Sequence, residues 1–317
     1  MTTPTLRFLD GAAIREAVPI GAMLDAVEAA YRDVADGRDR SPLRSRVALE
    51  DGDLLLMPGV RSGGSGASVK IVTVMPGNQS RGLPTIQALV VWIDGGTGRP
   101  LAIMDGETVT AMRTGAASGV ATRLLARPDA STAAILGVGG QAEWQLRAVL
   151  AARPIRRAIV YARSAEARAS FAARMADENG IEVVAADDAE SAVRAADVIC
   201  CATTSSRPVF DASWVRPGVH VNGIGAFRLE MVEIDPALFG RAALVAVDAR
   251  EAAMAEAGDV VAAVGQGLLA EEDLVEIGSV EHGWAAERPA DAITVFKSVG
   301  LAIQDVAAAE LIAEYLL

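Results

Sequence analysis

A glycine-rich segment between a β-type run and a helical run constrains the fold more than any other feature of this chain. Residues 132–136 have the continuous apolar character of a buried strand, and residues 141–152 have helical spacing. Small residues occupy the turn between them, in the order Gly137-x-Gly139-Gly140-Gln141-Ala142. A strand, a glycine turn and a helix in this order predict the beginning of a doubly wound α/β domain.

The residues of this turn suit the binding of a dinucleotide pyrophosphate. Gly137 permits the tight turn, Gly139 lets the backbone approach the pyrophosphate, and Ala142 lets the helix pack closely on the strand. Free amides at the start of the helix, where Gly140 and Gln141 lie, face the negative charge. Glycines also serve ordinary turns, but the strand–turn–helix context favours the ligand. We therefore expect an oxidoreductase that uses a nicotinamide dinucleotide.

Strands and helices alternate along the chain after Pro128. Helical stretches such as 141–152 and 165–178 separate most of the predicted strands, which are 132–136, 158–161, 182–185, 198–202, 219–224 and 244–248. This alternation predicts a parallel sheet with covering helices. Residues 294–317 are predicted to be helical, with no strand after them.

The N-terminal part has a different pattern. Apolar residues at helical spacing predict a helix over 20–36, with Gly37 as its stop. Short β-rich runs follow at 43–49, 53–57, 68–75, 85–93 and 101–104. Because turns and no helices separate these runs, they predict an antiparallel or mixed sheet, followed by a helix over 107–126.

Composition and charge exclude several classes of function. The formal net charge of −12 opposes the basic surface that binds nucleic acid. Two histidines and the adjacent Cys200 and Cys201 leave little material for a disulfide, a metal site or a serine–histidine relay. The start of the chain lacks a signal-peptide pattern, and no segment has about 18 uninterrupted apolar residues. We expect a cytoplasmic protein that binds no metal, nucleic acid or membrane.

The residues after the second predicted strand bear on the choice of dinucleotide. An acidic residue there would hold the ribose 2′-hydroxyl of NAD, whereas this chain has Ala162-Arg163-Ser164. A guanidinium and a hydroxyl can bind a 2′-phosphate, which favours NADP(H) and leaves NAD(H) possible. Arg163 could also be a solvated surface residue. Thr203 follows the fourth strand on the ligand-binding edge, or serves an ordinary turn.

Six strings outside the glycine turn carry a resemblance to a known family. They are DLLLMPG (53–59), VKIVTVMPGN (69–78), GLPTIQALVVWIDGGTGRPLAIMDG (82–106), TAMRTGAASGVATRLLA (110–126), HVNGIGAF (220–227) and TVFKSVGLAIQD (294–305). In this order they closely resemble the ornithine cyclodeaminase/mu-crystallin family over nearly the whole chain. The resemblance implies a homodimer whose subunit has two domains. Residues 1–117 and 297–317 would form an α+β substrate-binding and dimerisation domain, and residues 118–296 a Rossmann-type dinucleotide-binding domain.

The resemblance also implies which residues bind the substrate carboxylate. They are Lys70, Arg113 and an arginine before the MPG segment, for which Arg44 fits the family's spacing from Pro42. Arg46 lies on the same face if 43–49 is a strand. Taken alone, Lys70 could be a charge at a strand edge and Arg113 a helix surface residue. Positions that correspond to dinucleotide contacts in the family are Thr85, Arg113, Thr114, Gln141, Gly223, Ile224 and Ser298.

One residue departs from the pattern of ornithine cyclodeaminases. Phe227 stands where those enzymes carry a proton-handling aspartate, and an aromatic ring cannot exchange a proton. The pattern is more similar to the family's ketimine reductases, which implies reduction of a cyclic imino acid such as Δ1-pyrroline-2-carboxylate or Δ1-piperideine-2-carboxylate. The alternatives are an amino-acid dehydrogenase, a reductase of an acyclic imine such as iminosuccinate, and a protein that binds NADPH without turnover.

Overall fold

Contacts along the chain separate two units. The first unit extends to Arg113 and resumes at Leu301–Leu317, and the second comprises Thr114–Gly300. The predicted boundaries, 117 and 297, each lie four residues from these crossings. The computed structural model describes residues 5–317, apart from the side chain of residue 79. Residues 1–4, part of the segment inspected for a signal peptide, lie outside the described residues.

The strands of the described residues form two sheets. The first unit contains β1 (Arg7–Leu9), β2 (Ser45–Leu49), β3 (Gly52–Val60), β4 (Gly66–Val74), β5 (Ile86–Asp94) and β6 (Pro100–Asp105). The second unit contains β7 (Thr132–Leu136), β8 (Arg157–Tyr161), β9 (Glu182–Ala185), β10 (Val198–Cys201), β11 (His220–Gly223), β12 (Leu244–Val247), β13 (Leu274–Glu276) and β14 (Thr294–Lys297).

The α-helices lie between and after these strands. They are α1 (Gly11–Ala17), α2 (Ile20–Ala35), α3 (Gly106–Leu125), α4 (Ala142–Ala152), α5 (Ala165–Asn179), α6 (Ala189–Ala195), α7 (Pro236–Phe239), α8 (Arg250–Glu256), α9 (Gly258–Gly265), α10 (Trp284–Glu287) and α11 (Ala302–Leu316). No helix within residues 5–317 is both long enough and apolar enough to cross a membrane.

The first unit is a mixed six-stranded sheet in the order β1-β6-β5-β4-β3-β2, as the N-terminal pattern predicts. β2 to β6 pair antiparallel, and β1 pairs parallel with β6. Burial alternates along β3 and β4, because successive side chains point to opposite faces. α11 contacts β3, β4, β5 and α2, so the inward residues of the sheet lie under the last helix of the chain.

The second unit is an eight-stranded parallel sheet in the order β13-β12-β14-β11-β10-β7-β8-β9. The predicted parallel sheet with helices is therefore confirmed. β8 and β9 lie on one side of β7, and β10 lies on the other. The strand order thus reverses between β7 and β10, and open α/β sheets bind ligands outside the carboxyl ends of the strands at such a point.

The prediction for residues 294–297 was wrong. Instead of beginning the last helix, Thr294–Lys297 form β14, which lies between β11 and β12 with all four residues buried. Thr294–Lys297 directly precedes a run with helical spacing, so these few residues were assigned to that helix and not to a strand of their own. Gly300, with φ of +83°, separates this strand from α11, where the helical spacing begins.

Candidate active site

A buried cluster of charges lies in the first unit. Lys70 lies on β4, an inner strand, and is 2% exposed. Its Nζ is 3.0 Å from Oδ1 and 2.8 Å from Oδ2 of Asp305 on α11. Arg113, also buried, donates from Nε to the same Oδ1 at 3.0 Å. Lys70 is therefore not a charge on an edge strand, and Arg113 is not an exposed helix residue.

Two residues of this cluster were not predicted from the sequence. Asp305 bridges the two cations, and Gln304 accepts from Arg113 Nη1 at 3.0 Å. Gln304 also accepts from the Leu301 amide at 2.8 Å and donates from Nε2 to the Tyr31 hydroxyl. A carboxylate on an otherwise apolar helix face was the available signal, since a buried charge requires a partner.

The surroundings of Lys70 lower its pKa to about 7. Burial is the largest cause, and the positive charges of Arg113 and Arg44 act in the same direction, whereas Asp305 opposes them. Lys70 and Arg113 thus share one buried carboxylate, and the charge of Arg44 also acts on Lys70. A second carboxylate, brought by a ligand, would favour the charged form of Lys70.

Binding of a carboxylate ligand is expected to weaken as pH rises through about 7. Lys70 is charged below its pKa and neutral above it, so its attraction for an anion is present at lower pH and lost at higher pH. Fluorescence titration of a cyclic carboxylate inhibitor from about pH 6 to about pH 9 measures this change. Lys70→Met, which should bind weakly throughout, is the control. A wild-type affinity that stays constant over this range would contradict the expectation.

The structure distinguishes the two arginines that precede β3. Arg46 lies within β2, is 60% exposed in its side chain, and donates from Nε to Asp53 Oδ1 at 2.6 Å. Arg44 precedes β2 and is close enough to Lys70 to lower its pKa. These observations favour Arg44 as the third residue of the basic cluster, which we define as Lys70, Arg44 and Arg113.

The glycine turn of the second unit has the geometry that its sequence predicts. Gly137 has φ of +100°, and a Cβ there would lie 2.7 Å from the Ala202 carbonyl oxygen, so only glycine fits. A Cβ on Gly139 or Gly140 would meet no atom within 4 Å, which leaves one side of the turn open. Gln141 carries a buried Oε1 that has no hydrogen-bond partner among residues 5–317. The turn at Gly137 and the open side at Gly139 and Gly140 fit a dinucleotide pyrophosphate.

Four further positions implied for the dinucleotide lie at the same edge of this sheet. Gly223 ends β11 and accepts from the Ser298 amide at 3.0 Å, and Ile224 donates to the Cys201 carbonyl at 3.1 Å. Thr203 follows β10 and donates its amide to Glu233. The Ser298 hydroxyl donates to Asp248 at 2.8 Å, so it can meet a ligand only as an acceptor.

The remaining implied positions lie in different places. Thr85 precedes β5 in the first unit, and its carbonyl accepts from the Met75 amide at 2.7 Å. Thr114 is the first residue of the second unit, and its carbonyl accepts from Gln145 at 3.3 Å. Arg163 is exposed at the start of α5, where the Ser164 hydroxyl accepts from the Ala167 amide at 3.2 Å.

Three residues near these strands are not suited to transfer a proton or act as a nucleophile: Phe227, His220 and Cys200. Phe227 is half-buried, and the Arg228 guanidinium carbon lies 5.5 Å from its ring centroid. His220 is fully buried between Thr294 and Asn222, and burial lowers its pKa to about 3. Burial also raises the pKa of Cys200 to about 12. Neither His220 nor Cys200 is therefore a proton donor or nucleophile at neutral pH.

Comparison with known proteins shows the family to which this chain belongs. The sequence profile of the ornithine cyclodeaminase/mu-crystallin family matches residues 7–317. The chain is 37% identical to a Δ(1)-pyrroline-2-carboxylate reductase of Bacillus cereus over 306 residues, which cover 95% of this chain and 93% of the relative.

Two solved structures have the same fold over 98% of this chain. A Thermococcus litoralis Δ(1)-pyrroline-2-carboxylate reductase in complex with NADH and L-proline has a TM-score of 0.91 at 34% identity, with 97% of it covered. An archaeal alanine dehydrogenase dimer with bound NAD has a TM-score of 0.88 at 34% identity, with 95% of it covered. The profile match, the identity and the shared fold together establish that this chain belongs to the ornithine cyclodeaminase/mu-crystallin family.

Proposed function

We propose that this protein reduces a small cyclic imino acid, Δ1-pyrroline-2-carboxylate or Δ1-piperideine-2-carboxylate, to the corresponding L-amino acid with NAD(P)H. The observation that carries the proposal is the burial of Lys70 and Arg113 around the single carboxylate of Asp305. Such a cluster has an excess of positive charge that a substrate carboxylate would balance. The likeness to reductases of this substrate class supports the same reaction.

The side chains have separate roles in the proposed reaction. Lys70, Arg44 and Arg113 bind the carboxylate, and Asp305 with Gln304 fixes the Arg113 guanidinium, so the carbon next to the carboxylate has a defined orientation. When bound, the dinucleotide supplies the hydride. A new C–H bond forms at the imine carbon, and the C=N π electrons move to the nitrogen. If the imine binds in its protonated form, the nitrogen becomes a neutral amine on hydride transfer, and no proton from Phe227 is needed.

The test is a panel of substrates with purified protein, followed by the loss of NADPH or NADH absorbance. Reduction of either cyclic imine without added ammonium supports the proposal. Turnover of pyruvate only when ammonium is present would instead indicate an alanine dehydrogenase, the activity of a relative with the same fold. Turnover of iminosuccinate alone would indicate a reductase of acyclic imines. Dinucleotide binding with no turnover of any compound would indicate a binding protein and refute the proposal.

We further propose a preference for NADP(H), on the basis of Arg163 and Ser164. Replacing Arg163 with Ala should weaken NADPH binding by about tenfold to 100-fold and leave NADH binding unchanged, because only NADPH carries the 2′-phosphate. Arg157→Ala is the matched control, since Arg157 is an exposed arginine at the opposite end of β8. Calorimetric titration with both dinucleotides measures the effect. Equal losses for both would show that Arg163 does not recognise the 2′-phosphate.

The outer face of the first sheet supports a homodimer. Leu56, Ile71 and Leu89 occupy one row across β3, β4 and β5, and Ile71 and Leu89 are 40% and 43% exposed. Phe8 and Val47 extend the exposed apolar residues to the outer strands β1 and β2. A group of exposed apolar residues on one face of a sheet indicates a protein interface. One relative with this fold is a dimer.

Changing this face should therefore dissociate the dimer. We expect sedimentation velocity to show a dimer for the wild type and a monomer for the double variant Ile71→Lys, Leu89→Lys, because buried charges oppose association. Leu229→Lys alters an exposed leucine of the second unit and should leave the dimer intact. A wild-type monomer, or a double variant that remains dimeric, would refute this interface.

A further inference from the structure

Three charged side chains that lie outside the glycine turn are fully buried in the second unit. Glu233, Lys297 and Asp259 are each 0% exposed. Lys297 Nζ lies 3.3 Å from Asp259 Oδ2, and Lys297 acts electrostatically on Glu233. Burying ions is costly, and apolar side chains of similar volume would stabilise a fold at least as well. The cluster therefore requires an explanation beyond packing.

Glu233 joins two loops through a single carboxylate. Its Oε1 accepts the backbone N–H of Thr203 at 2.5 Å, and its Oε2 accepts that of Gly225 at 2.8 Å. Thr203 follows β10 and Gly225 follows β11, so both loops lie at the carboxyl edge of the parallel sheet. The two hydrogen bonds fix the distance between the loops.

Gly225 shows how close this approach is. A Cβ at this position would lie 1.9 Å from the Thr203 carbonyl oxygen and 2.6 Å from Glu233 Oε1. No other residue fits while Glu233 holds both amides. The second loop is thus placed against the first by contact as well as by hydrogen bonds.

Lys297 favours the ionised form of the Glu233 carboxylate. Burial raises the pKa of Glu233, and the positive charge of Lys297 is the main opposing influence. Lys297 ends β14 and pairs with Gly223 of β11, which leads into the second loop. An ionised carboxylate can accept both amide hydrogen bonds, whereas a protonated one loses part of that capacity.

We propose that Glu233, with the charge of Lys297 acting on it, is a positioning residue that sets the spacing of the Thr203 and Gly225 loops and so aligns the nicotinamide end of the dinucleotide for hydride transfer. The glycine turn after β7 binds the pyrophosphate, and the loops after β10 and β11 lie beyond the switch point, where the second half of a dinucleotide binds. The proposal rests on the proposed function, because it assumes a bound nicotinamide.

The test compares carboxylates that bridge backbone amides at opposite edges of one sheet. Glu233→Gln removes the charge and one acceptor, and Glu233→Asp keeps the charge but shortens the reach. The matched control is Asp197→Asn. Asp197 Oδ2 accepts the amides of Ser131 at 3.0 Å and Thr132 at 3.1 Å, at the amino edge. Each variant is measured for thermal midpoint, dinucleotide affinity and single-turnover hydride transfer from NADPH and its 4-deuterated form.

Both Glu233 variants should slow hydride transfer by about 100-fold with an altered isotope effect, and should weaken dinucleotide binding by about tenfold. Asp197→Asn should lower the thermal midpoint and leave both ligand readouts unchanged. Folded Glu233 variants with wild-type affinity and hydride-transfer rate would overturn the proposal. If Glu233→Gln does not fold, Glu233→Asp decides. Dinucleotide affinity needs no substrate, so it tests the positioning role even if the wild type reduces no imino acid.

Discussion

Replacing Lys70 with Met is expected to lower kcat/KM for imine reduction by about 1,000-fold, or about 4 kcal/mol of transition-state binding. Methionine has a similar length but no charge, so the substrate carboxylate loses one of its buried partners. Asp305 retains its contact with Arg113 and is not left alone. Thermal unfolding should therefore change little, because the variant also removes the cost of burying an ammonium. Steady-state kinetics and a thermal melt measure the two effects.

The neighbouring arginines provide an internal control for this prediction. Arg44→Met should lower kcat/KM by about 100-fold, whereas Arg46→Met should change it by less than about twofold. The difference follows from position, since Arg44 acts on Lys70, whereas Arg46 lies on the exposed strand β2 and pairs with Asp53 of β3. If Arg46→Met were the more damaging variant, the assignment of Arg44 to the basic cluster would be wrong. If Lys70→Met kept wild-type activity, the site itself would be wrong.

Replacing Gly139 with Val is expected to weaken dinucleotide binding by more than about 100-fold while leaving the free energy of unfolding nearly unchanged. A Cβ at Gly139 would meet no protein atom within 4 Å, so the side chain fits the protein without strain from neighbours. The same space is where the pyrophosphate must approach the backbone. Calorimetric titration with NADPH and chemical denaturation measure the two quantities separately.

Gly137 provides the opposite case in the same turn. Gly137→Ala places a Cβ 2.7 Å from the Ala202 carbonyl at φ of +100°, and should lower the free energy of unfolding by about 2 kcal/mol or more. The two variants thus separate a glycine needed for the ligand from a glycine needed for the fold. Equal losses of stability in both, or normal NADPH binding by Gly139→Val, would contradict this division.

Sequence periodicity predicted the long elements well. The helix expected over 20–36 is α2 (Ile20–Ala35), and the strand expected over 132–136 is β7. Both have many apolar residues at one spacing, flanked by glycine or proline. β1, β13 and β14 were missed: β1 and β13 have only three residues each, and β14 directly precedes a helical run to which its residues were assigned. β1 exists because β6 pairs with it, and β14 because β11 and β12 enclose it.

The site was predictable where a local motif determines it. The glycine turn needs only neighbours in sequence, and a strand, a turn and a helix specify it. Asp305 and Glu233 are different, because their partners lie far away along the chain. No local pattern shows that Asp305 meets Lys70, or that Glu233 accepts the amides of Thr203 and Gly225. The roles of Asp305 and Glu233 become visible only when the fold brings their distant partners next to them.

The position of α11 imposes an order on the biosynthesis of the first unit. Asp305 follows Lys70 by 235 positions in the chain. The strands that α11 covers, β3, β4 and β5, are also synthesised before it. The whole second unit emerges from the ribosome before the ion pair can form. Because domains fold during synthesis, the sheet of the first unit forms before α11 is available. Until then its inner face is uncovered and Lys70 lacks its partner Asp305. Docking of α11 on the sheet therefore completes the first unit, through contacts of high sequence separation.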